Sequence, residues 1–355
     1  YILPDEDRIR LCLQELQKIL KRHGTNFWRY KMLPQLEPGD EPSFNQLILD
    51  ERNYNRETLK KNHDDWLKML TTEQKKVYDE IMDVVLNDKG GVFFLYGFGG
   101  TGKTFLWKVL SVAIRYKGDI CLNVASSGIA SLLLEGGRTA HSRFGIPLTP
   151  HETSTCNMER GSDLAELVTA GKLIIWDEAP MMSKYCFESL DKSLKDILST
   201  PEDMPFGGKV ILFGGDFRQI LLVIHTAGRE LIVKSSLNSS HLWQHCKVLK
   251  LTKNMMLLQD IDINEAREIE DFLKWILAVG EGKLNQPNDG VTQIQIPDDI
   301  LIPEGDNPIE SIIKAVYGTS FAEERDPKFF QDRAILCPTN DDVNSINDHM
   351  LSKLT

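Results

Sequence analysis

The chain has 355 residues, 41% of them hydrophobic and 26% charged, with a formal net charge of −11. That length suits about two globular domains, the composition excludes a disordered or fibrous chain, and no apolar run approaches the ~18 residues of a membrane span. The acidic balance argues against a surface coated with nucleic acid, though not against a local basic groove.

The six cysteines (Cys12, Cys121, Cys156, Cys186, Cys246, Cys337) are scattered with no C-x-x-C. This favours reduced thiols, in cytosol or nucleus, over disulfides or a zinc site. His241 and His245 sit four apart, but Leu242 stands where a zinc protease helix has Glu, so both read as ordinary helix residues. No signal peptide opens the chain, and Tyr1 in place of Met is expected to mark the edge of a longer polypeptide.

Residues 1–70 carry no chemical motif. Ile9, Leu13, Leu16, Ile19 and Leu20 follow helical spacing. Pro34, Pro38, Gly39 and Pro42 then break the chain into a loop, and the charged residues 52–70 read as helix again. A packing or linker segment accounts for this region. Thr71 and Gln74 have capping-box spacing at the start of the next helix, whose apolar stripe is Val77, Ile81, Val84 and Val85. Gln74 serves either as a cap or, shortly before the loop described next, as a reader of an adenine edge.

That loop is Gly97-Phe98-Gly99-Gly100-Thr101-Gly102-Lys103-Thr104, the pattern G-x-x-x-x-G-K-T. It follows the apolar run Val92–Tyr96, which reads as a buried parallel strand, and precedes a stretch from Phe105 to Tyr116 without Gly or Pro, which reads as a helix. Strand, glycine loop and helix are the context that this phosphate-binding motif requires. The glycines let backbone N–H groups approach a polyphosphate, and the helix N-terminus adds partial positive charge. Lys103 can reach the outer phosphates and Thr104 can ligate Mg²⁺.

A second strand, Ile120–Ala125, runs into Ser126-Ser127-Gly128-Ile129-Ala130. Arg138-Thr139-Ala140-His141-Ser142-Arg143-Phe144 follows, and its hydroxyls, two arginines, His and Phe suit a phosphodiester backbone and a stacked base. In Leu173-Ile174-Ile175-Trp176-Asp177-Glu178-Ala179-Pro180, a buried strand ends in two carboxylates, at the strand end where open α/β sheets bind ligands. Asp177 can share the Mg²⁺ with Thr104, and Glu178 can orient the attacking water. A helix over roughly 183–198 is expected next. Lys209–Phe213 is another buried strand, and the string Gly214-Gly215-Asp216-Phe217-Arg218-Gln219 puts an amide at its tip. Gln219 is thus a candidate sensor of the γ-phosphate. Gly280–Asn307, with acidic Asp298, Asp299, Glu304 and Asp306, reads as loops and short strands.

In this order the motifs resemble those of the petite-integration-frequency (Pif-type) DNA helicases, superfamily-one motors that move 5′→3′ on single-stranded DNA. The version looks closest to the helicase end of plant Helitron transposon proteins, and the resemblance covers roughly residues 45–355. It implies an α/β P-loop NTPase fold: a RecA-like parallel sheet flanked by helices, with an N-terminal helical segment and the start of a second RecA-like domain. The expected boundaries are 1–70, 71–255 and 256–355. The implied activity is ATP-dependent DNA helicase, with ATP and Mg²⁺ as cofactors, single-stranded DNA and DNA junctions as partners, no membrane association, and a nuclear location with roles in repair, recombination and telomere maintenance.

The resemblance also implies individual roles. Gln74 would contact adenine. Gly97, Phe98, Gly99, Gly100, Thr101, Gly102, Lys103 and Thr104 would cradle phosphate. Thr104 and Asp177 would hold the metal. Lys103, Asp177, Glu178 and Gln219 would form the catalytic set. Ser127, Gly128, Thr139, His141, Ser142 and Phe144 would line the DNA track. Ala334–Asn340 resembles the first strand motif of the second RecA-like domain, with Asp341, Val343 and Ile346 on the helix after it.

The chain departs from the family pattern in places. Leu251-Thr252-Lys253-Asn254-Met255-Met256 has Met256 where an Arg is usual, and Ile220-Leu221-Leu222-Val223 lacks the usual Pro. The later motifs, including a second phosphate-clamping arginine, do not occur before Thr355. Such an arginine contributes ~10³–10⁵ in rate, about 4–7 kcal/mol, so a slow or inactive ATPase is expected of this polypeptide alone. The competing reading is a degenerate, transposon-derived ATP-binding module without unwinding activity. A GTPase or kinase is disfavoured, since no N-K-x-D occurs.

Overall fold

Our computed structural model describes residues 4, 8–9, 12–13, 16–17, 45–219, 222–224, 228–255, 263–284, 294–303, 305–319, 321–323 and 326–353. Ile19, Leu20, the prolines of the 34–42 loop, Ile220, Leu221, Met256, Glu304 and Thr355 lie outside them. By internal contacts the chain divides into Tyr1–Ile276 and Leu277–Thr355.

In the first unit residues 8–9, 12–13 and 16–17 are helical, and helices α1 (Gln46–Arg52), α2 (Arg56–Met69) and α3 (Thr72–Leu86) come after them. Six strands then alternate with helices: β1 (Gly91–Tyr96), α4 (Lys103–Arg115), β2 (Ile120–Ala125), α5 (Gly128–Leu132), β3 (Arg138–Thr139), α6 (Ala140–Phe144), α7 (Asp163–Ala170), β4 (Gly171–Asp177), α8 (Lys184–Leu198), β5 (Val210–Gly215), α9 (Arg229–Ser235) and β6 (Cys246–Lys250). The strands pair in parallel in the order β3-β2-β4-β5-β1-β6. A parallel sheet needs crossover connections, so helices cover both faces.

The period-2 alternation of strand side chains sorts the core into two layers. Val92, Phe94, Leu122, Val124, Ile174, Trp176, Ile211 and Phe213 meet Ala165, Val168, Phe187, Leu190 and Leu194 of α7 and α8. Phe93, Leu95, Cys121, Leu173, Ile175 and Leu212 meet Val77, Ile81 and Val85 of α3 and Leu106, Leu110 and Ile114 of α4. Helix α2 packs on this second layer: Trp66 lies edge-on to Phe105 at 6.3 Å, and His63 Nε2 is 2.8 Å from the Tyr78 hydroxyl. Residues 45–70 therefore belong to the packed body of the first unit.

Helix α10 (Ile263–Gly280) crosses the unit boundary. The second unit contains α11 (Pro308–Tyr317), α12 (Pro327–Gln331) and α13 (Asn340–Leu351). Its centre is aromatic, with Tyr317 facing Phe321, Phe329 and Phe330 at 6.1–6.4 Å. Two expectations are only partly met by the described residues, residues 285–293 lying outside them. The described part of 280–307 contains no strand, and the strand expected at Ala334 is irregular, with Leu336 93% exposed. A strand is held by its ladder partner, and among the described residues nothing pairs with this segment.

Candidate nucleotide site and DNA-facing surface

The loop after β1 closes on itself. Lys103 Nζ donates to the carbonyls of Gly97 and Phe98, and Thr101 Oγ1 donates to Phe98 O at 2.9 Å. Gly100 and Gly102 sit in the left-handed region, at φ 83° and 79°. A Cβ on Gly102 would lie 2.5 Å from Gln74 Nε2, and one on Gly100 would lie 2.7 Å from Asn254 Oδ1. These two positions need glycine for both backbone angle and space. Gly102→Ala is expected to destabilise the protein by about 1–3 kcal/mol, read from denaturant unfolding; an unchanged midpoint would contradict this.

Gln74 is 1% exposed, and both ends of its amide are used within the protein. Its Oε1 accepts from Thr71 N at 3.1 Å and its backbone N–H donates to Thr71 Oγ1 at 3.3 Å, which completes the capping box. Its Nε2 donates to Thr101 O at 3.2 Å. Gln74 thus caps α3 and props the phosphate loop at once, and at 1% exposure its amide is enclosed by the protein in this conformation.

Sequence reasoning missed what surrounds the loop. Leu251 N donates to Tyr96 O at 2.8 Å and Met255 N to Gly100 O at 2.8 Å, so residues 251–255 wrap the loop from behind. Thr252 donates from N (2.8 Å) and Oγ1 (2.6 Å) to the Glu73 carboxylate at the start of α3. The string Leu251-Thr252-Lys253-Asn254-Met255 is the signal in the sequence for this contact, next to the departure at Met256. The Thr252 hydroxyl holds Glu73 below its ordinary value. A depressed carboxylate contributes stability above its unfolded value, and loses it as pH falls through the folded value. Glu73→Gln is therefore expected to flatten the acid limb of the melting-temperature profile.

β5 lies between β1 and β4, and its end is Gly214-Gly215. A Cβ on Gly214 would collide with Trp107 Cζ2 of α4 and lie 3.4 Å from Asp177 Oδ1. With no side chain there, the phosphate-loop helix and the β4 tip come together. Gly214→Ala would overpack a fully buried tryptophan, at typically 1–3 kcal/mol.

Asp177 is 4% exposed. Burial raises its pKa; the neighbouring Trp107 indole and the Lys103 ammonium pull it back. The indole is close enough for that, yet by geometry Asp177 Oδ1 and Trp107 Nε1 each lack a hydrogen bond. Glu178 adopts φ 52°, strained for a non-glycine residue, where the chain turns off β4. Burial raises its pKa too, Asp177 and Asp216 add repulsion, and Lys103 opposes them.

An orphaned, buried carboxylate oxygen is what a cation would complete. Asp177 and the half-buried Thr104 are oxygen donors of the kind that would hold Mg²⁺, with phosphate and water as its other ligands. Among the described residues no cluster of His, Cys, Asp or Glu could hold a metal by itself. When bound with the triphosphate, the ion supplies charge neutralisation.

Gln219 is exposed in the turn after β5. Its N–H donates to Asp216 O at 3.1 Å, Asp216 Oδ1 accepts from Arg218 N at 3.0 Å, and Phe217 stacks on Phe94 at 5.1 Å. The turn is anchored while its last side chain stays outside.

The structure divides the residues expected to meet DNA. Ser127 Oγ caps α5 by accepting from Ala130 N at 3.2 Å, and Thr139 Oγ1 caps α6 by accepting from Ser142 N at 3.3 Å. Gly128 and Ser142 are exposed; His141 is half-buried, which lowers its pKa. Phe144 requires correction: it is fully buried, 5.9 Å from Trp176, and presents no face to a base. Arg143 is likewise buried, so of the two arginines only Arg138 is exposed.

A parallel sheet with a G-x-x-x-x-G-K-T loop at one strand tip and an Asp-Glu pair two strands away defines a P-loop nucleotide-binding domain. The family model for PIF1-like helicases matches residues 69–290, and the chain belongs to that family. It is 31% identical to the ATP-dependent DNA helicase PIF1 of Trypanosoma brucei brucei, over 48% of this chain and 17% of that protein. It is 25% identical to the ATP-dependent DNA helicase Pif1 of Campylobacter jejuni, over 78% of this chain and 54% of that protein. The chain thus spans at most about half the length of these relatives. A crystal structure of a double mutant of the Bacteroides Pif1 helicase superposes with a TM-score of 0.51 at 22% identity, covering 79% of this chain and 56% of that one; this likeness shows the fold.

Proposed function

We propose that this chain is the nucleotide-hydrolysing part of an ATP-dependent DNA helicase that moves 5′→3′ on single-stranded DNA. The observation that carries the reading is that Lys103, in the loop after β1, acts electrostatically on Asp177 and Glu178 at the end of β4 two strands away, beside a buried Asp177 oxygen that has no hydrogen bond. Membership of the PIF1-like family and the printed activity of its relatives support it. Lys103 and the loop N–H groups bind the triphosphate. Thr104 and Asp177 hold the Mg²⁺ that screens it. Glu178, whose pKa burial and the neighbouring Asp177 raise above the ordinary carboxylate value, orients and deprotonates the attacking water. Gln219 reports the γ-phosphate to the DNA-facing side, where Ser127, Gly128, Thr139, His141 and Ser142 meet the sugar-phosphate backbone. A nuclear location, action on DNA junctions, and roles in repair, recombination and telomere maintenance extend the same proposal.

The test, made on a longer protein that contains this chain, is ATP hydrolysis with and without oligo-dT, followed by strand displacement on duplexes carrying a 5′ or a 3′ tail. DNA-stimulated turnover and displacement on the 5′-tailed duplex are expected. Turnover indifferent to DNA would reject the motor, and a preference for the 3′ tail would reject the direction.

A further inference from the structure

Outside the nucleotide site, a buried charge cluster in the first unit joins three distant segments. Glu51, on α1, is 7% exposed. Its Oε1 accepts from Arg143 Nη2 at 2.6 Å, and its Oε2 lies 3.6 Å from Arg115 Nη2, at ion-pair distance without a hydrogen bond. Both arginine side chains are almost fully enclosed, at 0% and 4% exposure. Arg115 is the last residue of the phosphate-loop helix α4; it also donates to Glu135 O at 3.0 Å and Cys121 O at 3.2 Å, and lies 4.5 Å from the Tyr54 ring. Arg143 belongs to α6, which carries His141 and Ser142.

Two features argue that the cluster does more than stabilise. Two cations share one carboxylate, while Glu51 Oε2 and both arginine Nε atoms lack hydrogen bonds. A buried ionic cluster so incompletely satisfied stabilises less than apolar packing of the same volume. And α6 has five residues, too few to hold a helix by itself. Its orientation comes from what it buries. Arg143 and Phe144 point inward, so Ser142 and the half-buried edge of His141 point outward.

We propose that Glu51 is a positioning residue for DNA binding: through Arg143 it sets the rotation of α6, and through Arg115 it fixes that helix against the far end of the phosphate-loop helix. The inference rests on the DNA-binding reading above, and it places a determinant of DNA affinity before residue 69, where the family match begins.

The experiment compares the unmodified protein with Glu51→Gln, Arg143→Lys and the pair together. Affinity is read by fluorescence anisotropy for labelled oligo-dT and, separately, for a fluorescent ATP analogue, alongside melting temperature. Glu51→Gln keeps the shape and removes the charge. Arg143→Lys keeps the charge and removes the guanidinium fork, so it separates lost positioning from lost positive charge.

Each single variant is expected to weaken oligo-dT binding about 10-fold, with ATP-analogue affinity within two-fold and the pair no worse than the weaker single, as for contacting residues that act as a unit. Oligo-dT affinity unchanged in both singles overturns the proposal. So does a parallel loss of both ligands that tracks the melting temperature, which is the mark of a purely structural role. If the unmodified protein fails to bind oligo-dT while still binding the ATP analogue, the DNA-binding reading itself falls.

Discussion

Glu178→Gln is expected to bind ATP about as well as the unmodified protein and to hydrolyse it about 10²–10⁴-fold more slowly, the range over which a positioned general base acts. The substitution keeps the side-chain shape and removes only its basicity. Burial and the repulsion of Asp177 and Asp216 raise the Glu178 pKa, while Lys103 limits the rise. The carboxylate therefore remains ionised until the pH falls into its raised range, and the acid limb of the kcat profile is expected above the ordinary carboxylate value. In Glu178→Gln that limb should vanish with the activity. Steady-state ATPase together with nucleotide binding decides the matter: full activity in the variant would remove Glu178 from the mechanism, and lost nucleotide binding would mean that its role is structural.

Lys103→Ala is expected to abolish detectable turnover by a different route. The Lys103 ammonium is 9% exposed and donates to the Gly97 and Phe98 carbonyls, so it holds the loop closed and is placed to meet the phosphates. A hydrogen bond to a charged group contributes about 1.5–3 kcal/mol, or roughly 10- to 100-fold in nucleotide affinity. The alanine also removes the counter-charge to Asp177 and Glu178, so both pKa values should rise further. Isothermal titration with an ATP analogue reads the affinity. Unaltered binding would show that the loop N–H groups act alone. The two variants separate the steps: Glu178→Gln spares binding, and Lys103→Ala does not.

The nucleotide side of the site was legible because its signals are local. A glycine pattern between strand and helix dictates its own geometry, and Asp177-Glu178 stands out as a carboxylate pair ending an apolar run. The Thr71–Gln74 capping box is equally local, and it formed. What Gln74 does with the other end of its amide was not legible, since its partner Thr101 is 27 residues away. Nor was the wrapping by residues 251–255, whose backbone contacts with Tyr96 and Gly100 depend on β6 lying beside β1. The string from Arg138 to Phe144 failed in an instructive way. Its composition suits a nucleic-acid surface, but composition does not say which way a residue faces. Phe144 completes the aromatic core around Trp176, and Arg143 turns inward to Glu51.

The amino-acid order alone determined the strand–loop–helix unit, the carboxylate pair, the parallel α/β class and the family resemblance, because each depends on neighbours within one turn or one strand. Tertiary structure alone decided that the Gly214 end of β5 lets Trp107 and Asp177 come together, that Thr252 secures Glu73, and that Glu51 pairs with an arginine 92 residues away. A buried polar group takes its partner from whichever segment packs against it, and that choice exists only once the layers of the sheet have formed.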